Sequence, residues 1–194
     1  MLDLGCGSGG LTTVISRLIG AKDVHCVDID DELLAKCVSR GFTCKKLNLE
    51  SENFPYPNDC FDFVTMIELL EHLCNPYNAL KEVYRVLRSD GYFLITTPNL
   101  ASWRNRIRIL LGLWPDGLAL IPGRIRVANK KTIIESDPGH VRLYTLGALE
   151  MLLEYVGFDV IKLVGVPSKF YNIRKSKRIF RALGYLDSLF SKKP

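Results

Sequence analysis

The chain has 194 residues, 47% of them hydrophobic and 24% charged, which excludes the disordered, collagen-like and low-complexity classes. No apolar run approaches the ~18 residues of a membrane-spanning helix, and the length suits one domain with a substantial core. Charge is divided unevenly: residues 1–100 carry 9 Lys/Arg against 14 Asp/Glu, and residues 101–194 carry 17 against 7. A basic second half suits an anionic partner, or a face that is merely solvated. In chain order, β-rich runs are predicted at Met1–Gly5, Asp23–Asp28, Phe42–Leu47, Phe61–Ile67 and Tyr92–Thr97, with helices over Gly10–Ile19, Asp31–Arg40 and Asn78–Leu87 between them. Leu80, Val83, Tyr84 and Leu87 follow the i, i+3, i+4, i+7 spacing of a helix with one apolar face. Such alternation predicts a doubly wound α/β fold, a mostly parallel sheet with helices on both faces.

After Pro98-Asn99 the rhythm loosens. A basic helix is predicted over Leu100–Leu113, then a long irregular segment from Trp114 to Gly139, of a length that inside a domain usually serves function. Thr145 caps a helix over Leu146–Val156, Gly157 ends it, and Phe158–Val166 makes a sixth strand. From Phe170 the tail reads as a basic amphipathic helix, and no further β-rich run is evident, so the sheet is expected to lack a seventh strand. The whole reads as one domain, residues 1–100 forming a ligand-binding core and 101–194 a half that bears a lid-like insertion. The six cysteines have no paired metal spacing and are expected to be free thiols in a reducing cytoplasm.

Leu2–Gly10 reads LDLGCGSGG, a glycine-rich turn between a first strand and a first helix. Such turns bring backbone amides close to a nucleotide-type ligand. Gly5-x-Gly7-x-x-Gly10 satisfies the dinucleotide fingerprint, with Asp28 placed for ribose hydroxyls. More residues fit a second reading. Asp3-x-Gly5-x-Gly7-x-Gly9 resembles motif I of the class I S-adenosylmethionine-dependent methyltransferases, small-molecule branch, and "CVDID", "LNLESENFPYPNDCFDFV" and "IELLEHLCNPYNALKEVYRVLRSDGYFLITTPN" resemble the passages that follow it. The resemblance covers residues 1–100 closely and Tyr144–Val166 more loosely. It implies S-adenosyl-L-methionine as cofactor and a Rossmann-like sheet of order 3-2-1-4-5 with the sixth strand beyond. Asp3 would then help hold the methionine end, Asp28 would grip both ribose hydroxyls and Ile29 would pack on adenine. Asn48 and Leu49 would meet the adenine edge, with Ile67 at the end of the fourth strand completing the set. No Tyr-x-x-x-Lys pair or zinc ligand set supports hydride transfer by a nicotinamide-dependent oxidoreductase.

For the acceptor, Glu68, Glu71 and His72 follow the fourth strand and on a helical turn would share one face. His72 is a candidate acid–base group. The trio could hold a divalent ion, as in the related ubiquinone-pathway O-methyltransferases, although the Glu-His pair is widespread in the family without a metal and none is assigned. The segment "DPGHVRLYTLGALEMLLEYVGF" resembles one bordering the acceptor pocket of sugar-directed relatives, making His140 a second candidate base, with Arg142 and Tyr144 on the same side of an extended stretch. Asn75-Pro76-Tyr77 falls too late and lacks the second proline of base-directed methyltransferases, so nucleic acid is an unlikely substrate. The expected activity is methyl transfer to a small molecule, a hydroxyl of a sugar, lipid-linked or quinone-type metabolite. The alternative is a non-catalytic cofactor-binding or nucleic-acid-binding module. The arginine-rich stretch around Trp114 and the basic tail predict a cytoplasmic protein that touches an anionic membrane surface. The family usually has a helix before motif I and an antiparallel last strand, so the chain is expected to be truncated at both ends and marginally stable.

Overall fold

A computed structural model describes residues 1–118, 124–126, 133–135, 139–165 and 188–192, the three shorter stretches 124–126, 133–135 and 188–192 by their backbone course. Five strands, β1 (Leu2–Leu4), β2 (His25–Asp28), β3 (Thr43–Lys46), β4 (Phe61–Ile67) and β5 (Leu87–Thr96), alternate with helices α1 (Gly10–Leu18), α2 (Asp31–Ser39) and α3 (Pro76–Val86). They pair in parallel in the order β3-β2-β1-β4-β5. Because β1 sits centrally and the order reverses beside it, the C-terminal ends of β1, β2 and β4 line one edge of the sheet, where open α/β sheets place ligands. Then follow α4 (Trp103–Leu110), a separate antiparallel pair of β6 (Arg124–Arg126) and β7 (Ile133–Glu135), α5 (Leu146–Val156), β8 (Asp159–Val164) and β9 (Ser188–Lys192).

Each helix starts for a local reason. Asp30 accepts from the amides of Glu32 and Leu33 at 2.8 and 3.1 Å to cap α2, and Thr145 accepts from Ala148 at 3.2 Å to cap α5. Pro76 stands in the first turn of α3, where its missing N–H is harmless. Gly157, with φ of 115°, ends α5 in the left-handed conformation that few other residues take without strain. The larger core joins Leu2, Leu4, Val64, Met66, Phe93 and Ile95 of the sheet to Leu80 and Val83 of α3 and Leu149 and Leu153 of α5. A second, smaller core holds Cys6, Val24, Cys26, Leu34 and Cys37.

The sheet differs from expectation at its far edge. Ser188–Lys192 forms a seventh strand, antiparallel to β5 and β8 and inserted between them, so β8 is joined to the sheet through it. The run SLFSK is short and ends in lysine, and its β character comes from two waiting partners rather than from its own composition. The helix expected from Phe170 lies, up to residue 187, outside the described residues. Ser89-Asp90-Gly91 forms an irregularity within β5: the register jumps from Phe61↔Leu87 to Phe63↔Tyr92, with Asp90 at φ 67°. No helix among the described residues is long and apolar enough to cross a membrane.

Candidate active site

The glycine turn closes over the ends of β1 and β2. Gly5, Gly7 and Gly9 all have positive φ, 66°, 52° and 77°. A Cβ on Gly5 would lie 2.9 Å from Leu69, and one on Gly9 2.9 Å from the Cys37 sulfur, so both glycines serve close packing. A Cβ on Gly7 would meet nothing within 4 Å. Gly7 therefore faces open space, and its amide donates to Asp28 Oδ2 at 2.9 Å. The other Asp28 oxygen accepts from the Asp30 amide at 3.1 Å. A carboxylate oxygen carries two lone pairs, so Asp28 keeps acceptor capacity for a diol while it pins the loop. Ile29 beside it is 62% exposed, an apolar surface of the kind a flat base covers. Gly7, Asp28 and Ile29 thus fit a nucleoside-bearing cofactor.

The other expected cofactor contacts are placed differently. Asp3 is buried, and its two oxygens accept from the hydroxyls of Thr12 and Thr65. Burial pushes its carboxyl above the ordinary range against the pull of these two bonds. Its visible work is to tie α1 and β4 to β1, a role that no motif signalled. Leu49, 6% exposed, packs in the larger core, so its side chain is not an open platform. Exposed Asn48 uses its carbonyl to accept from the Glu50 amide at 3.0 Å. Ile67 ends β4 half-buried.

On the acceptor side, the helical face expected for Glu68, Glu71 and His72 does not form. Glu68 has φ of 50°, and the chain after it makes a 3-10 turn over Leu70–His72. Glu68 instead accepts from the Thr96 hydroxyl at 2.8 Å. Positive φ on a non-glycine residue stores strain, and such strain gathers at functional sites. Glu71, 0% exposed, accepts from Thr97 at 3.0 Å through Oε2, while Oε1 has no hydrogen-bond partner among the described residues and faces His140 Nε2 at 3.8 Å. Burial pushes its carboxyl up to about 7 from 4.5, the Glu68 charge adds to this, and the Thr97 bond and His140 oppose it.

His140 is itself 7% exposed, and its Nδ1–H donates to the Gly117 carbonyl at 2.6 Å, which turns the Nε2 lone pair toward Glu71. The His72 ring lies edge-on to it, with centroids 4.6 Å apart. Backbone fixes the approach: Val141 and Arg142 amides donate to the Glu71 carbonyl at 2.9 and 3.2 Å. The two histidines predicted separately thus meet, 68 residues apart in sequence, with a buried carboxylate beside them. The donor atoms of Glu71, His72 and His140 lie within 4.8 Å of one another, close enough for one cation; Glu68 is not in the set. Arg142 leaves this side to donate to the Cys74 carbonyl at 2.7 Å, whereas the buried Tyr144 hydroxyl has no hydrogen-bond partner among the described residues. Leu69, which touches Gly5, stands two residues from Glu71 and so couples the carboxylate–histidine cluster to the glycine turn. A cavity of about 760 Å³ lined by Met1, His25, Tyr56 and Tyr92 opens at the opposite ends of the strands, away from all of these groups.

The family described as "Methyltransferase domain" matches residues 2–95. Over 102 residues the chain is 33% identical to the ubiquinone/menaquinone biosynthesis C-methyltransferase of Marinomonas sp., covering 49% of this chain and 41% of that protein. Over 168 residues it is 30% identical to an uncharacterized protein of Methanocaldococcus jannaschii, covering 85% and 63%. The chain therefore spans less than two thirds of the length of these curated relatives. The crystal structure of a methyltransferase from Methanosarcina mazei, 18% identical, shares the fold with a TM-score of 0.66 over 99% of this chain and 91% of that one.

Proposed function

We propose that the chain is a class I S-adenosylmethionine-dependent methyltransferase, a reading supported by the methyltransferase-domain match over residues 2–95, and that it transfers the methyl group of S-adenosyl-L-methionine to a small acceptor. The observation that carries the acceptor side is the Glu71–His140 pair: a buried carboxylate oxygen without a hydrogen-bond partner among the described residues, aimed at an imidazole whose other nitrogen is already committed. When bound, the cofactor supplies an activated sulfonium methyl group. The protein's share is alignment, exclusion of water and the acceptor's proton. Gly7 and Asp28 hold the ribose end, and the packing of Gly5 on Leu69 sets the distance from there to the histidines.

His140 takes the acceptor proton at Nε2, with Glu71 stabilising the imidazolium and Thr97 steadying Glu71. His72, edge-on to His140, borders the acceptor. A base is needed for a hydroxyl or an acidic carbon acceptor, and this supports a hydroxylated, quinone-type or lipid-linked metabolite. The similarity to a quinone-pathway C-methyltransferase points the same way. So does the exposed apolar run of Leu110, Leu111, Leu113 and Trp114 at the end of α4, which suits an acceptor delivered from a lipid surface.

The test is incubation with methyl-labelled cofactor and fractionated metabolite extracts, polar and lipid, followed by mass spectrometry. A labelled product in the lipid fraction supports the reading. Tight cofactor binding with no labelled product in either fraction would favour a non-catalytic binding module.

A further inference from the structure

The second core of the molecule is unusual in its chemistry. Cys6 lies within the glycine turn, Cys26 on β2 and Cys37 on α2, and their three sulfurs lie within 4.8 Å of one another. Cys6 and Cys37 Sγ are 3.7 Å apart. Both thiols also point at one carbonyl, that of Gly7, at 3.7 Å from Cys6 and 3.3 Å from Cys37. Three sulfurs thus cluster from three elements that are far apart in sequence, and two of them also face the Gly7 carbonyl.

Tetrahedral zinc with Zn–S of about 2.3 Å and Zn–O of about 2.1 Å separates its ligand atoms by roughly 3.6–3.8 Å, which matches the 3.7 Å sulfur–sulfur spacing. Thiolate donors select soft ions, Zn²⁺ and Cu⁺ above all. We propose that Cys6, Cys26 and Cys37, with the Gly7 carbonyl as fourth ligand, form a binding site for a thiophilic metal ion, Zn²⁺ in the first instance, directly beneath the glycine turn.

On binding, three S–H bonds break and three protons pass to solvent, while three S–Zn bonds and one O–Zn bond form and the ion sheds its water. No electron changes hands. Without an ion, burial holds the Cys37 thiol up at about 11; a bound cation deprotonates a coordinating thiol outright. The site is closed, all four positions being supplied by the protein, so it is structural in kind. Its consequence is local: the ion would tie the turn to β2 and α2 through the carbonyl of Gly7, the residue whose amide is bonded to Asp28. None of the three cysteines is a candidate acid, base or acceptor contact; the site shares only Gly7 with the proposed cofactor site, through its carbonyl rather than its amide.

The experiment is to prepare the full chain under reducing conditions, load it with one equivalent of Zn²⁺ or Co²⁺ during refolding, and dialyse. One retained ion per chain is expected, with thiolate-to-cobalt charge-transfer absorption and a zinc X-ray absorption shell of three sulfurs and one oxygen. Cys37→Ser should abolish the sulfur signature, and Cys74→Ser, an exposed control, should keep it. A nitrogen and oxygen shell would place the ion on Glu71, His72 and His140 and overturn the proposal, as would failure to retain any ion. Because the absorption spectrum is read on the unmutated chain, the result holds even where Cys37→Ser misfolds.

Discussion

Asp28 holds the Gly7 amide at 2.9 Å, and in the proposed site its remaining lone pairs serve the cofactor. Asp28→Ala is therefore expected to weaken S-adenosylmethionine binding by roughly 1.5–3 kcal/mol, the scale for bonds to a charged acceptor. Titration calorimetry reads this directly, and an unchanged affinity would remove Asp28 from the cofactor site. Gly7→Val puts a side chain into the open space beside Asp28 and, at a φ of 52°, also strains the turn, so it should abolish binding; circular dichroism beside the titration shows whether the helices survive and separates the two effects. His140→Ala should cut turnover by about 10²–10⁴-fold while cofactor affinity changes little, and equal losses in both would mean that the residue only shapes the site. Glu71 makes a prediction about pH. Its carboxyl is raised from 4.5 to about 7 in the folded chain, so the folded state binds its proton more tightly than the unfolded state does. That contribution to stability is present below pH 4.5 and is lost as pH rises through 7. At pH 8 the cost approaches about 3 kcal/mol, and Glu71→Gln, which carries no charge, escapes it. Urea unfolding should show the variant gaining on the parent chain between pH 5 and pH 8, and a constant difference would mean that the carboxyl is not raised.

Elements built from local pattern were legible in the sequence, and those built by partners were not. Phe61–Ile67 and Leu146–Val156 carry their own signals, an apolar run in one case and a cap with a terminal glycine in the other, and both boundaries match those observed. Ser188–Lys192 carries no such signal and becomes a strand because β5 and β8 leave it a slot. The same division runs through the site. Gly7 and Asp28 follow a spaced motif, whereas the meeting of His72 with His140 depends on Val141 and Arg142 binding the Glu71 carbonyl, a pairing that no local spacing encodes. The sulfur cluster is hidden for that reason too: positions 6, 26 and 37 show no metal spacing until the glycine turn, β2 and α2 bring them together. Because, among the described residues, β8 pairs with the sheet through β9, the backbone of β9 can be tested by itself. Leu189 is paired with Ile95 on one side and Leu163 on the other. Leu189→Pro removes an N–H from an interior strand and is expected to cost about 3 kcal/mol or more, with exposed edges on β5 and β8 that favour aggregation. A thermal melt and light scattering on the variant check both, and a melting temperature equal to that of the parent chain would contradict the insertion of β9.

At the scale of the whole molecule, charge and apolar exposure coincide in the second half. Residues 101–194 hold 17 Lys/Arg against 7 Asp/Glu, and α4 with the turn after it presents Leu110, 85% exposed, beside Leu111, Leu113 and Trp114. The arginines of α4 are organised rather than loose: Arg104 and Arg108 both pair with Asp116, and Asn105 binds the Asp116 backbone from two sides, so the helix and the turn after it form one firm unit. An apolar ridge on a firm base within a net-positive half has the two ingredients of interfacial binding, buried apolar area and attraction to anionic lipid. The protein is therefore expected to float with vesicles containing an anionic phospholipid and not with purely zwitterionic ones. Two terms should separate. Raising salt from about 0.1 M to 1 M shortens the screening length from roughly 10 Å to 3 Å and should release most of the bound protein. Leu110→Asp with Leu111→Asp should weaken binding at every salt concentration without changing the fold, because both side chains point away from the core. Flotation that ignores both salt and this pair of substitutions, or no flotation on anionic vesicles at low salt, would leave the acceptor to be met in solution.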